Sequence, residues 1–147
     1  GFEHWLMPNH CFKLESPLEV VYGASKKTGK EYRFRLNLNQ YRNTHYIILN
    51  KAKVAYKDLM KPQIDKLPSM NQVSIEYRVF PATKRAFDLS NVCTVVDKFL
   101  CDALVESGKL PDDNFNHLPE ITYTYGSVDK DNPRVEVFIC PKQPNNQ

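Results

Sequence analysis

The apolar residues of this chain change period from two to 3.6 and back, and that change limits the folds open to it. Val73, Ile75, Tyr77 and Val79 alternate with Ser74, Glu76 and Arg78, as in a half-buried strand that Pro81 ends. Over residues 89–106, Leu89, Val92, Cys93, Val96, Phe99, Leu100, Ala103 and Leu104 fill one broad arc at about 100° per residue, which predicts a helix. Asp88 or Ser90 can cap its start, and Ser107-Gly108 supplies a stop. Upstream, residues 18–22 and 32–38 read as strands joined by the polar turn Ser25-Lys26-Lys27-Thr28-Gly29. In the second, Tyr32, Phe34, Leu36 and Leu38 share one side and Arg33, Arg35 and Asn37 the other. Residues 44–60 are helical in period, with Asn43 or Thr44 as cap and Pro62 as stop. Residues 121–125 and 134–139 close the pattern as strands linked by Asp129-Lys130-Asp131-Asn132-Pro133. The expected fold is α+β, in the order ββαβαββ, with a mostly antiparallel or mixed sheet and two main helices. At 147 residues it is expected to be a single domain spanning 1–147, with an N-terminal arm over 1–17 and a frayed tail over 141–147.

No apolar run reaches the roughly 20 residues that cross a bilayer, so no membrane partner is expected. Five glycines and no glycine-rich phosphate loop argue against a nucleotide cofactor. The first residues show no basic region leading into an apolar segment, and a cytoplasmic location is expected. The four cysteines form no Cys-x-x-Cys pair, so a disulfide framework is not expected. A zinc site from His4, His10 and Cys11 would lack a second ligand cluster. The net charge of +3 says less than its distribution. Lys26, Lys27, Lys30, Arg33 and Arg35 form one basic group, Lys51, Lys53, Lys57 and Lys61 another, and Lys84-Arg85 a third, while acids gather between Asp88 and Asp113. An enzyme acting on a polyanion through metal ions needs such a division; solvated surfaces also show it.

On the second helix Asn91, Lys98 and Asp102 fall within roughly 40° of one another beside the apolar arc, and Asp88 continues that flank at the helix start. Asp112-Asp113 follows the glycine stop and can fold back towards the helix. Carboxylates and an amide are the oxygen ligands Mg²⁺ prefers, and such an ion activates water and neutralises charge on a scissile phosphate. The same residues also have an ordinary structural reading: a cap at Asp88, an i,i+4 pair at Lys98 and Asp102, and a turn at Asp112-Asp113.

The succession Glu76-Tyr77-Arg78-Val79-Phe80-Pro81, Lys84-Arg85, Asp88-Leu89-Ser90-Asn91, Lys98-Phe99-Leu100-Cys101-Asp102-Ala103-Leu104 and Pro111-Asp112-Asp113 resembles the core of the RusA-type Holliday junction resolvases. Asn39-Gln40-Tyr41-Arg42 is weakly similar to a segment upstream of that core. The resemblance implies a homodimeric endonuclease that makes paired nicks in branched, four-way DNA with Mg²⁺ or Mn²⁺. By this matching Asp88, Lys98 and Asp113 are the catalytic residues, and Asp88, Asn91, Asp102, Asp112 and Asp113 are the candidate metal ligands. Lys84 and Arg85, with Lys26, Lys27, Arg33 and Arg35 of the hairpin, are the expected DNA contacts. A compact resolvase of this kind would work in DNA recombination and repair in a bacterium or a bacteriophage-infected host.

Two departures from the family pattern stand out. Ser90 occupies the position of a second aspartate, and the stretch from Asn91 to Lys98 is longer by about four residues, a little over one helical turn. The missing carboxylate could come from Asp102, from Asn91 as a neutral oxygen, or from Asp97, which lies across the helix from Lys98 and reads as a surface residue. The competing function is a catalytically impaired junction-binding protein on the same scaffold. A restriction-type nuclease is disfavoured, because Pro111-Asp112 follows Glu106-Ser107-Gly108-Lys109 rather than preceding it.

Overall fold

The computed structural model describes residues 11–142. Strand β1 (Phe12–Ser16) leads into a hairpin of β2 (Glu19–Ala24) and β3 (Glu31–Arg35). A short helix α1 (Leu38–Arg42) and a long α2 (Tyr46–Ile64) follow, then β4 (Val73–Phe80), α3 (Leu89–Glu106), β5 (Glu120–Tyr125) and β6 (Arg134–Pro141). The fold is α+β, with a mixed four-stranded sheet in the order β1-β6-β4-β5 and a separate two-stranded hairpin.

Alternation puts Val73, Ile75, Tyr77 and Val79 of β4 on the same side as Val135, Val137 and Ile139 of β6, and all are buried. Against them lie Cys93, Val96, Leu100 and Leu104 of α3 and Tyr56, Met60 and Ile64 of α2. Burying a large apolar side chain contributes about 1.5–3 kcal/mol, and this continuous layer joins the elements into one core. The other side of the sheet carries ion pairs instead: Arg134 bridges Glu15, Asp129 and Glu136, and Arg78 pairs with Glu76.

Several expectations are corrected. The predicted N-terminal arm contains β1, which pairs antiparallel with β6 from Phe12↔Ile139 to Ser16↔Val135. Its alternation is short and its partner lies at the far end of the chain, so only tertiary pairing reveals it. That register brings together Cys11 and Cys140, which form a disulfide across 129 residues, against the expectation of no disulfide. Of the residues in the disfavoured zinc site, His4 and His10 lie outside the described residues, and Cys11 is taken up by this disulfide. Strand β3 ends before Leu38, because Asn37 turns the chain and its side chain accepts from the Gln40 N–H to start α1. Helix α2 runs through Pro62 to the fully buried Ile64, since a proline in the last turn forfeits one bond while the core holds the turn. Strands β5 and β6 are not neighbours; β4 lies between them, parallel to β5 and antiparallel to β6.

Candidate functional site

Helix α3 carries most of the candidate residues. Asp88 is its N-cap, but the carboxylate makes no capping bond, so the ordinary explanation for an aspartate there does not apply. Asn91, one turn further on, accepts from the Leu38 N–H at 3.2 Å and so fastens α1 to α3. Its oxygen is already engaged by protein. Lys98 is exposed, with Nζ 5.8 Å from the Tyr41 ring and no ion pair among the described residues. The weakly matched Asn39 to Arg42 stretch therefore belongs to α1, beside the Asn91 and Lys98 flank.

Asp102 pairs with Lys53 of α2 at 3.3 Å, and Glu106 pairs with Lys57 at 3.0 Å. Both partners advance by four residues, so the helices run side by side in one direction. Lys61 pairs with Asp65, the C-cap of α2. Lys53, Lys57 and Lys61 thus spend their charge on protein carboxylates, and Lys51 of the same helix makes no ion pair among the described residues.

Asp112 and Asp113 lie in the exposed turn after α3, where the Asp112 carboxylate accepts from the Asp113 N–H at 2.7 Å and from the Asn114 amide at 3.1 Å. The Asp113 carboxyl is held above its usual range. Partial loss of solvent is the first cause, followed by its hydrogen bond with Asp112 and the negative charges of Asp112 and Asp102. Like charges that oppose ionisation of Asp113 also favour a bound cation. Asp102, Asp112 and Asp113 thus form an acidic group at one end of α3.

Asp88 does not belong to that group. It precedes Asp102 by 14 residues, which at 1.5 Å per residue separates them by about 21 Å along the helix. The angular row is real, but one ion cannot span its ends. Among the described residues no three Asp, Glu, His or Cys side chains converge as a ready-made metal site. The hard oxygen donors that are present suit Mg²⁺, which commonly takes one or two protein carboxylates and completes its shell with water and phosphate oxygens.

The basic residues divide as well. Arg35 lines a groove of about 760 Å³ with Asn37, Ala82, Thr83 and Val92, and Lys84-Arg85 continues from Thr83. This brings the hairpin base and the loop after β4 to one opening near the start of α3. Lys26, Lys27, Arg35, Lys84 and Arg85 make no ion pair among the described residues. Arg33 differs: it pairs with Glu19 and with Glu31, the latter at 2.5 Å, and these acids hold its guanidinium more firmly charged. Its charge is largely neutralised on its own hairpin.

Asp97 departs from the expected surface position. It is half-buried rather than a surface residue, and Oδ1 accepts from the Tyr77 hydroxyl at 2.5 Å and from Cys101 Sγ at 3.2 Å. Cys93, Asp97 and Cys101 stand four residues apart, so their common column was a signal that Asp97 faces inward. Burial, and then Asp97, push the Cys93 thiol up to about 12. No family model matches the chain, and no curated protein matches it significantly.

Proposed function

We propose that this protein is a metal-dependent, structure-selective DNA endonuclease that resolves four-way junctions by paired phosphodiester hydrolysis, as its resemblance to RusA-type resolvases implies. The observation that carries the reading is the adjacent carboxylate pair in the exposed turn after α3, where Asp112 accepts from the Asp113 N–H at 2.7 Å and the Asp113 carboxyl is held above its usual range, by partial loss of solvent first and by Asp112 after it. Asp112 and Asp113 would hold Mg²⁺ or Mn²⁺, with Asp102 at the side. When bound, such an ion supplies an activated water and charge neutralisation at the scissile phosphate. Lys98, one turn from Asp102 and free of ion pairs among the described residues, holds the phosphate beside the acids. Arg35 in the groove, with Lys84 and Arg85 in the loop that continues from its Thr83 wall, grips backbone, and Lys26 and Lys27 extend that contact. Paired cuts need two sites, so the working form is a homodimer, acting in recombination or repair within a bacterial or phage-infected cytoplasm.

A second reading is favoured by one observation. Asp88 stands about 21 Å along the helix from Asp102, with Ser90 where the family has an aspartate, as in a junction binder that has lost cleavage. The test is incubation of purified protein with a synthetic four-way junction and Mg²⁺ or Mn²⁺. Symmetric nicks near the crossover, lost in Asp113→Asn with binding retained, uphold the nuclease. Tight junction binding with no nick in either metal leaves the binder. Lys98→Ala should reduce cutting far more than binding.

A further inference from the structure

Hairpin β2–β3 stands outside the main sheet, and beyond its buried Val20 and Phe34 its apolar side continues into open surface. Tyr22 and Tyr32 stack there, with ring centroids 5.9 Å apart and planes at 28°, and Tyr32 is 46% exposed. Gly23 sits opposite Tyr32 in the register of the hairpin. A groove of about 500 Å³ runs between β2 and α2, lined by Val21, Tyr22, Asn50, Lys51, Val54 and Asp58 among others. Val21 and Val54 are 39% and 61% exposed, so the groove has an apolar floor open to solvent. At its rim and at the hairpin tip, Lys51, Lys26, Lys27 and Lys30 make no ion pair among the described residues.

We propose that this groove, with the Tyr32 ring that adjoins it through its stack on Tyr22, binds unpaired nucleotides of a nucleic-acid strand, with bases against the tyrosines and phosphates on Lys26, Lys27, Lys30 and Lys51. Aromatic faces beside unneutralised lysines match a chain of flat rings joined by anions. A duplex offers phosphates but keeps its base faces covered, so the exposed Tyr32 ring, backed by the half-buried Tyr22, selects an unpaired strand. Asn50 and Asp58 add polar groups for base edges; the Asp58 carboxylate accepts from an exocyclic amine and keeps phosphates on the lysine side. The proposal deepens the nucleic-acid reading above and rests on it only for the polyanionic ligand, since it needs neither metal nor cleavage.

The test uses the whole chain in EDTA, with fluorescence anisotropy on labelled oligothymidylate and on a duplex of equal length. The single strand should bind more tightly than the duplex. Tyr32→Ala should weaken strand binding about tenfold, the scale of one lost stacked base, while Tyr32→Phe retains it. Lys51→Ala should reduce the salt slope by about 0.7. Circular dichroism checks that each variant is folded. Tighter duplex binding, or strand binding indifferent to Tyr32→Ala, overturns the proposal, as does an acidic peptide that competes equally for the groove. Strand binding with these variant effects but no junction cutting upholds this site and overturns the nuclease reading. Junction cutting by a protein whose strand binding ignores Tyr32 does the reverse.

Discussion

The Tyr77 hydroxyl, fully buried in the sheet, donates to Asp97 Oδ1 at 2.5 Å and so fixes the roll of α3 against β4. Burial, then the neighbouring Cys101 and Asp97, keep the phenol protonated far above its ordinary range, so it is a permanent donor. Tyr77→Phe leaves the half-buried carboxylate without that donor and should cost about 1–3 kcal/mol. A double-mutant cycle with Asp97→Ala, which removes the acceptor, in urea should show coupling of at least about 0.5 kcal/mol; additive losses would mean the bond contributes nothing.

Asp113 gives a pH-dependent prediction. Its folded-state value is raised, so the stability tied to its protonated form is complete below the ordinary aspartate range of about 4 and is lost as pH rises through the raised value. Asp113→Asn should remove that decline, measured as the difference in Tm between acidic and neutral buffer. Mg²⁺ competes with the same proton, so added Mg²⁺ should raise the Tm of the parent increasingly with pH and leave that of Asp113→Asn unchanged.

The Cys11–Cys140 disulfide fastens edge strand β1 to β6 and closes nearly the whole chain into one loop. Cys11→Ser should cost about 2–4 kcal/mol under oxidising conditions, and under reducing conditions parent and variant should unfold together. Cys93 and Cys101 are buried free thiols, so a thiol reagent should find neither in the folded oxidised protein and both after unfolding.

Gly126 is required for space. A Cβ there would lie 2.5 Å from the Phe80 ring, and that ring is held from another side by the Arg134 guanidinium, 4.3 Å from its centroid. Gly126→Ala should destabilise by about 1–3 kcal/mol in thermal or urea unfolding, and the double variant Gly126→Ala/Phe80→Leu should recover part of the loss.

The network around Arg134 gives the opposite pH signature to Asp113. Glu136 is only 7% exposed; burial opposes its ionisation, but hydrogen bonds from Arg134 and Lys13 prevail and hold it below its usual range. The hydrogen bond from Arg134 lowers Asp129 likewise. Stability from both is present above their unfolded values and is lost as pH falls through the folded ones, so it should decline in acid, below about pH 4. Glu136→Gln should flatten that part of the Tm profile.

Elements whose cause is local are legible in the amino-acid order. Alternation in Val73 to Val79 and the 3.6 period of residues 89–106 specify β4 and α3, because side-chain direction follows from backbone geometry alone. The row of Asn91, Lys98 and Asp102, and its axial length back to Asp88, are likewise properties of one helix. Tertiary structure alone decided which cations are spent. Arg33, Lys53 and Lys57 look as free in sequence as Lys26 or Lys84, yet their acids come from other elements or from across the hairpin. It alone placed β1 on β6, put β4 between β5 and β6, and directed Asp97 to Tyr77. Each depends on contacts between residues far apart in the chain, whose pairing is set by the global balance of burial against chain entropy and not by any local propensity.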